Sequence, residues 1–230
     1  MPIFTFQATV FENKNLTDDV ILLSLTAPKE FSFQAGQYIL LSVEGGSEKR
    51  WKSYSILSPP SEKGKVDLCI KLIDGGFASE VLKKAKKGDL FGIKGPLGHF
   101  VFEEGDKNKE FWFIGGGTGV SPFYSMIAEH LPHHKDAKFV LIFSLKRKKD
   151  LFLHEEFQQL AKKYANFTYL PTLTQEKWEG AAGRVCKHLP KDLKNKTFYI
   201  CGLKELVLET KEFLMKKGVK PENVKFERYS

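Results

Sequence analysis

Residues 111–122 read FWFIGGGTGVSP. The apolar run 111–114 predicts a short buried strand. Gly115, Gly116, Gly117 and Gly119 follow, with Thr118 among them, and Pro122 suits the first turn of a helix expected over 123–131, where a missing N–H costs nothing. Glycine lets the backbone turn sharply and come close to a bulky anion. A helix N-terminus adds N–H donors and partial positive charge, so pyrophosphate is the expected guest of Gly116, Gly117, Thr118 and Gly119. The match to the dinucleotide fingerprint G-x-G-x-x-G is partial, because Pro122 stands at the third glycine. The alternative is a tight strand-to-helix turn with no ligand, for which four glycines in five residues are more than needed.

Downstream of this stretch, apolar strands are expected at 111–114, 139–143, 167–170, 198–201 and 224–226. They alternate with helical spacing at Phe157, Leu160, Ala161 and Tyr164, and again at Leu206, Val207, Thr210, Phe213 and Leu214, stopping at Gly218. Strand–helix alternation with short connections predicts a mostly parallel sheet covered on both faces. Its ligands sit outside the carboxyl ends of the strands, which gathers 115–119, 144–147 and 201–202 around one crevice. Upstream, 5–11, 20–27, 38–43, 53–57, 66–73 and 90–94 read as short strands separated by turn material (ENKN, TDD, EGGSEK, PPSEKG), with one helix over 78–87. Such spacing predicts a closed or sandwich-like antiparallel β-domain. The division falls in EEGDKNKE (103–110), giving domains 1–104 and 105–230.

Composition narrows the function classes. Of the 36 Lys plus Arg and 28 Asp plus Glu, residues 1–104 hold 13 of each, so the second part carries the whole excess of +8. A basic half favours anionic visitors, whether nucleotide phosphates or an acidic protein. No nucleic-acid recognition motif accompanies the charge, so nucleic acid is not the expected partner. Apolar runs such as 20–23 and 139–143 are too short to cross a bilayer. The start MPIFTFQATVF lacks the pattern of a secretory signal, so the cytoplasm is the expected compartment and no membrane insertion is expected. Cys69, Cys186 and Cys201 make no metal-ligand spacing and no disulfide framework, so no metal and no iron–sulfur cluster of the chain's own is expected. His133 and His134 read as solvated surface.

Several further segments make the chain resemble the ferredoxin–NADP⁺ reductase family over nearly its whole length. KSYSILS (52–58) resembles the flavin signature R-x-Y-S, with Lys52 where arginine is usual. FQAGQY (33–38) is similar to the strand before the flavin site, LCIKLIDGGFAS (68–79) to the second flavin segment, and GIKGPLGHF (92–100) to the close of the flavin domain. GGGTGVSP is similar to the family's nicotinamide-nucleotide loop, where the proline is normal. FYICGL (198–203) resembles its cysteine–glycine strand end, with Leu203 where proline is frequent, and FERYS (226–230) its closing acid and aromatic.

The resemblance implies a β-barrel that binds FAD, followed by an α/β domain that binds NADPH, with NADH as the alternative coenzyme. On the flavin side it implies cofactor contacts from Lys52, Ser53, Tyr54 and Ser55, from Cys69, Ile70 and Lys71, and from Gly76, Phe77, Ala78 and Ser79. Ser79 is expected to cap the 78–87 helix. On the nucleotide side it implies Ser144, Lys146, Arg147, Thr174 and Arg184, with Cys201, Gly202 and Tyr229 at the nicotinamide. The catalytic residues it implies are Ser55 near flavin N5, Cys201 aligning nicotinamide, Glu227 tuning the site and Tyr229 gating it. SLKRKKD (144–150) lacks an acid that would select NADH, whereas Gln175 stands where NADPH-specific members carry arginine. The function implied is hydride transfer from NAD(P)H to FAD, then single electrons to a separate acceptor such as a ferredoxin, flavodoxin or haem protein, acidic by complement to the basic half. A reductase component of an oxygenase and a non-catalytic nucleotide-sensing subunit are the alternatives.

Overall fold

The computed structural model describes residues 2–229, which divide into two compact units, 2–102 with Tyr124–Glu129, and Glu103–Phe123 with 130–229. In the first, β1 (Phe4–Asn15), β2 (Val20–Thr26), β3 (Tyr38–Gly45), β4 (Glu48–Ser55), β5 (Lys65–Lys71) and β6 (Leu90–Leu97) form one antiparallel sheet in the order β4-β3-β6-β1-β2-β5. Just past β4, Ile56 bridges Leu68 of β5 and closes the sheet into a barrel. Alternating residues fill it: Ala8 and Val10, Leu23 and Leu25, Leu41 and Val43, Leu68 and Ile70 are all buried in one core. Helix α1 (Phe77–Leu82) packs Leu82 into the same core.

Two strands outrun their sequence patterns. ENKN continues β1 to Asn15 past a bulge between Val10 and Glu12, because pairing with β2 offsets the polar composition. The EGGSEK stretch is mostly hairpin: Gly45 pairs with Glu48 across Gly46 and Ser47, and Gly46 takes the positive φ (+61°) such a tight turn needs. Helix α1 is shorter than the expected 78–87. It ends at Leu82, after which Asn13 Nδ2 donates to the carbonyls of Leu82 and Ala85.

The second unit is a six-stranded sheet, every pairing parallel: β7 (Glu110–Gly116), β8 (Lys138–Leu145), β9 (Phe167–Leu173), β10 (Ala181–Ala182), β11 (Thr197–Leu203) and β12 (Val224–Tyr229), in the order β10-β9-β8-β7-β11-β12. Alternation along β7 sends Phe111 and Phe113 to one face and Trp112 and Ile114 to the other. On the first face Phe113 stacks on Tyr199 (centroids 5.3 Å) and on Phe139 (5.7 Å), and Phe157 of α3 (His154–Lys163) stacks on Tyr169. On the second, Trp112, Ile114, Phe198 and Ile200 pack against Val207 and Leu214 of α4 (Lys204–Lys216). Phe113 is fully buried, and truncating such a phenylalanine costs about 3–5 kcal/mol.

Helix α2 (Ser121–His130) follows a 3₁₀ turn at Gly117–Val120, so Pro122 is its second residue. His133 is exposed as expected. His134 is not solvated surface: its Nδ1 lies 2.9 Å from the His130 carbonyl and its ring approaches Phe139. Among the described residues no group of His, Cys, Asp and Glu could hold a metal ion, and no helix is long and apolar enough to cross a membrane.

Candidate cofactor sites

Strand register lines up the nucleotide-side candidates. Gly115 of β7 is level with Phe143 of β8 and with Cys201 of β11, which is level with Glu227 of β12. One residue on, Gly116 is level with Ser144, and Ser144 with Thr172. The carboxyl ends of the strands thus bring Gly116–Gly119, Ser144, Cys201, Gly202, Glu227 and Tyr229 to one edge.

The glycines there have separate physical reasons. A Cβ on Gly119 would lie 2.5 Å from the Cys201 carbonyl oxygen and 2.7 Å from Gly202 Cα, so its absence lets the loop sit on the β11 strand end. That is packing within the protein, where the sequence suggested room for an anion. Gly117 differs: its φ is +54° and a Cβ there would meet nothing, leaving open space at the loop's outer side. Ser121 Oγ donates to the Thr118 carbonyl at 2.8 Å and ties the turn to α2. This open, glycine-backed loop fits a nucleotide diphosphate.

Cys201 is fully buried. Burial pushes its thiol well above the ordinary value, with the nearby Glu227 carboxylate adding to the rise, while a hydrogen bond with Tyr229 opposes it. The thiol therefore stays protonated at neutral pH.

Beyond β8, Lys146 and Arg147 are exposed and make no ion pair among the described residues. Arg147 N–H donates to the Asp150 carboxylate. Thr174 is exposed, and its hydroxyl donates to the Leu145 carbonyl at 3.2 Å. Arg184 is exposed and pairs with Glu209 of α4. Two acids that no motif marks reach this loop from the β9–β10 connection. Glu176 accepts from Lys148 N–H at 2.8 Å, and Glu179 pairs with Lys148 Nζ at 2.9 Å; a hydrogen bond from its own backbone, then this lysine, hold the Glu179 carboxyl below its usual range. A cleft of about 620 Å³ in the same unit, lined in part by Asn108, Lys191, Lys194 and Asn223, contains no candidate residue.

In the barrel unit, β4 alternates. Lys52 and Tyr54 are partly buried and Ser53 between them is exposed, while Ser55 is buried. Tyr54 packs against the barrel core, and burial pushes its hydroxyl up to about 12, so it is neutral at physiological pH. Gln37, in the FQAGQY segment but not among the candidate residues, fixes this strand end. Its carbonyl accepts Ile56 N–H at 2.9 Å, and its side chain accepts Gln34 N–H and donates to the Gly98 carbonyl. On β5 the Cys69 and Ile70 side chains are buried, whereas Lys71 is exposed and pairs with Asp19.

Ser79 does not cap its helix. It is the third residue of α1, nine-tenths buried, and its hydroxyl accepts Ile73 N–H at 2.8 Å, closing the turn that contains Gly75 and Gly76. Phe77 and Ala78, both partly buried, pack against the barrel core. A lysine on one strand face and a glycine turn suit a flavin phosphate in their chemistry.

A barrel unit with this cationic strand and a parallel-sheet unit with this glycine edge have the chemistry to hold two dinucleotides. Residues 7–102 match the oxidoreductase FAD-binding domain and residues 113–212 the oxidoreductase NAD-binding domain. Ferredoxin–NADP reductase B of Sorangium cellulosum is 31% identical over 215 residues, covering 87% of this chain and 87% of that protein. The chain belongs to the ferredoxin–NADP reductase family. The phenol hydroxylase P5 protein of Acinetobacter pittii is 31% identical over 233 residues, 97% of this chain, yet the chain spans only 65% of that relative. A ferredoxin NADP⁺ reductase from Neisseria gonorrhoeae, solved with FAD and NADP, shares the fold at TM-score 0.87 and 21% identity, covering 97% of this chain and 98% of that one.

Proposed function

We propose that the chain is a reductase that takes a hydride from NAD(P)H onto FAD and passes electrons one at a time to a separate redox protein. The observation that carries this reading is the cluster of Cys201, Glu227 and Tyr229 at the strand edge that also holds the glycine loop. FAD, when bound, accepts a hydride at N5 and can return electrons singly. The protein's part is to bind, orient and shield. Lys52 offers positive charge to a flavin phosphate, with Cys69, Ile70, Lys71 and the turn 76–79 along the cofactor. Tyr54 offers a neutral ring, and Ser55 a hydroxyl to flavin N5. The loop Gly116–Gly119 holds the coenzyme diphosphate, and Gly202 lets nicotinamide approach the strand end. Cys201 aligns that ring as a neutral thiol, Glu227 tunes the charge beside it and Tyr229 gates access.

NADPH is the preferred coenzyme in this reading, supported by Lys146 and Arg147, which have no ion pair among the described residues, with Ser144, Thr174 and Arg184 along the same edge. The acceptor is an acidic redox protein, a complement to the +8 carried by residues 105–230. The cytoplasm suits the three cysteines, none of which forms a disulfide among the described residues. The likeness to phenol hydroxylase P5 favours a second reading, in which the acceptor is the oxygenase of a multi-component system.

Purified protein should be yellow and should bleach when NADPH is added without oxygen. A colourless protein that takes up no flavin overturns the reading and leaves a non-catalytic subunit. Reduced protein offered ferredoxin, flavodoxin and an oxygenase component in turn separates the two acceptor readings.

A further inference from the structure

Arg50 stands two residues before Lys52, so both side chains leave the same face of β4, the face that also carries Tyr54. Lys52 occupies the place where the family resemblance puts an arginine. An ammonium is a point charge and cannot make the planar, two-pronged contact that a phosphate takes from a guanidinium. A guanidinium is nevertheless present beside it. Arg50 Cζ lies 4.9 Å from the centroid of the Phe77 ring, and Phe77 directly follows Gly76 in the second flavin segment. Gly45 keeps the β3–β4 hairpin pressed onto α1: a Cβ there would fall 3.0 Å from Val81 Cγ2 and 3.1 Å from Phe77 Cε2. Strand β4 and the 76–79 turn, distant in sequence, are thus brought together with Arg50 between them.

We propose that Arg50 is the arginine that grips the flavin diphosphate, standing in for position 52, with Lys52 as an adjoining point charge. The proposal rests on the FAD reading above. The Phe77 ring face attracts the guanidinium and restricts its movement, which readies its N–H donors for an anion. Glu48 pairs with Arg50 at present, but both side chains are about half exposed, 46% and 49%. Exposed pairs of this kind contribute little, so a diphosphate, with more charge and more acceptor oxygens, displaces the carboxylate. Phe77 also gives the arginine an apolar seat, and packing alone would explain the contact. Riboflavin, which has the ring system and no phosphate, separates the two explanations.

Flavin-stripped wild type, Arg50→Ala and Arg50→Lys are titrated with FAD and with riboflavin, following the quenching of flavin fluorescence. In Arg50→Ala the FAD dissociation constant should rise about tenfold to a hundredfold, as for loss of charge-assisted hydrogen bonds. Riboflavin binding should not change, and Arg50→Lys should recover only a small part of the loss. Equal FAD affinity in wild type and Arg50→Ala overturns the proposal, as does an equal loss for FAD and riboflavin, which marks a packing role. Full recovery by lysine removes the two-pronged contact and overturns it as well. Wild type that takes up no FAD sinks the reading beneath the proposal, a result distinct from all of these.

Discussion

In the barrel unit, cofactor candidates are mainly side chains distributed by strand alternation: Lys52 and Tyr54 on one face of β4, Ser55 at its end. In the parallel-sheet unit they are largely backbone, with Gly119 against the Cys201 carbonyl and Gly202 against Gly116. A side chain at the barrel can be exchanged while the strand keeps its course. At the sheet edge, one methyl group collides with main chain that has nowhere to go. Specificity in the first unit should therefore be graded and adjustable, and in the second close to all-or-none.

The largest effect that would break this contrast is at Gly119. Gly119→Ala should destabilise the protein by about 3 kcal/mol, the upper end for overpacking, because the atoms met are backbone. Thermal melting would read this as a fall of several degrees, with coenzyme binding lost as well. Gly117→Ala, where the Cβ meets nothing and only φ is strained, should cost about 1–2 kcal/mol. Equal losses at the two positions would remove the packing argument. Next in size, Ser55→Val should slow hydride transfer about tenfold in stopped-flow measurements, the loss of one charge-assisted hydrogen bond. An unchanged rate takes Ser55 off the catalytic list.

A smaller effect is expected in coenzyme choice. Glu176→Gln with Glu179→Gln should raise kcat/KM for NADPH relative to NADH about threefold, because Glu179 pairs with the Lys148 ammonium and Glu176 takes its backbone N–H, which sets two negative charges beside Lys146 and Arg147. A constant ratio would place the phosphate elsewhere. The smallest effect concerns pH. The Cys201 thiol is raised, so above about pH 8.5 the unfolded chain releases a proton that the folded chain keeps. Stability from this group is complete below that pH and falls as pH climbs towards the folded value. Cys201→Ala should flatten the alkaline decline of Tm; a parallel decline in both proteins would show that the thiol is not its source.

Much of the architecture could be read locally. Val66, Leu68 and Ile70 alternate at strand spacing and all three lie in the barrel core, although Asp67 and Cys69 between them are buried as well. The run 111–114 followed by glycines marks a strand end and turn, and β7 ends at Gly116. What stayed hidden depends on partners distant in sequence. The reach of β1 to Asn15 comes from pairing with β2, and that of β4 back to Glu48 from pairing with β3, neither visible in residues that look like loop. Ser79 has the composition of a cap, but a backbone N–H six residues earlier takes its hydroxyl. Glu176 and Glu179 look like ordinary loop acids until β8 and β9 pair and set them on Lys148. His134 reads as surface because nothing in LPHHKD announces the carbonyl of His130.

Strand β4 is hydrogen-bonded along its whole length to β3, but among the described residues its other flank meets β5 only just past its end, through the bridge at Ile56 and the Leu57 N–H that donates to the Asp67 carbonyl at 2.8 Å. The cationic strand therefore has one securely laddered side and one loosely fastened side. Its amide protons on the loose side should trade with deuterated solvent sooner than those of β3, whose two neighbours shield it. A bound dinucleotide lying along that flank would act as the missing rung, so protection of β4 against deuterium would report occupancy directly, without any turnover.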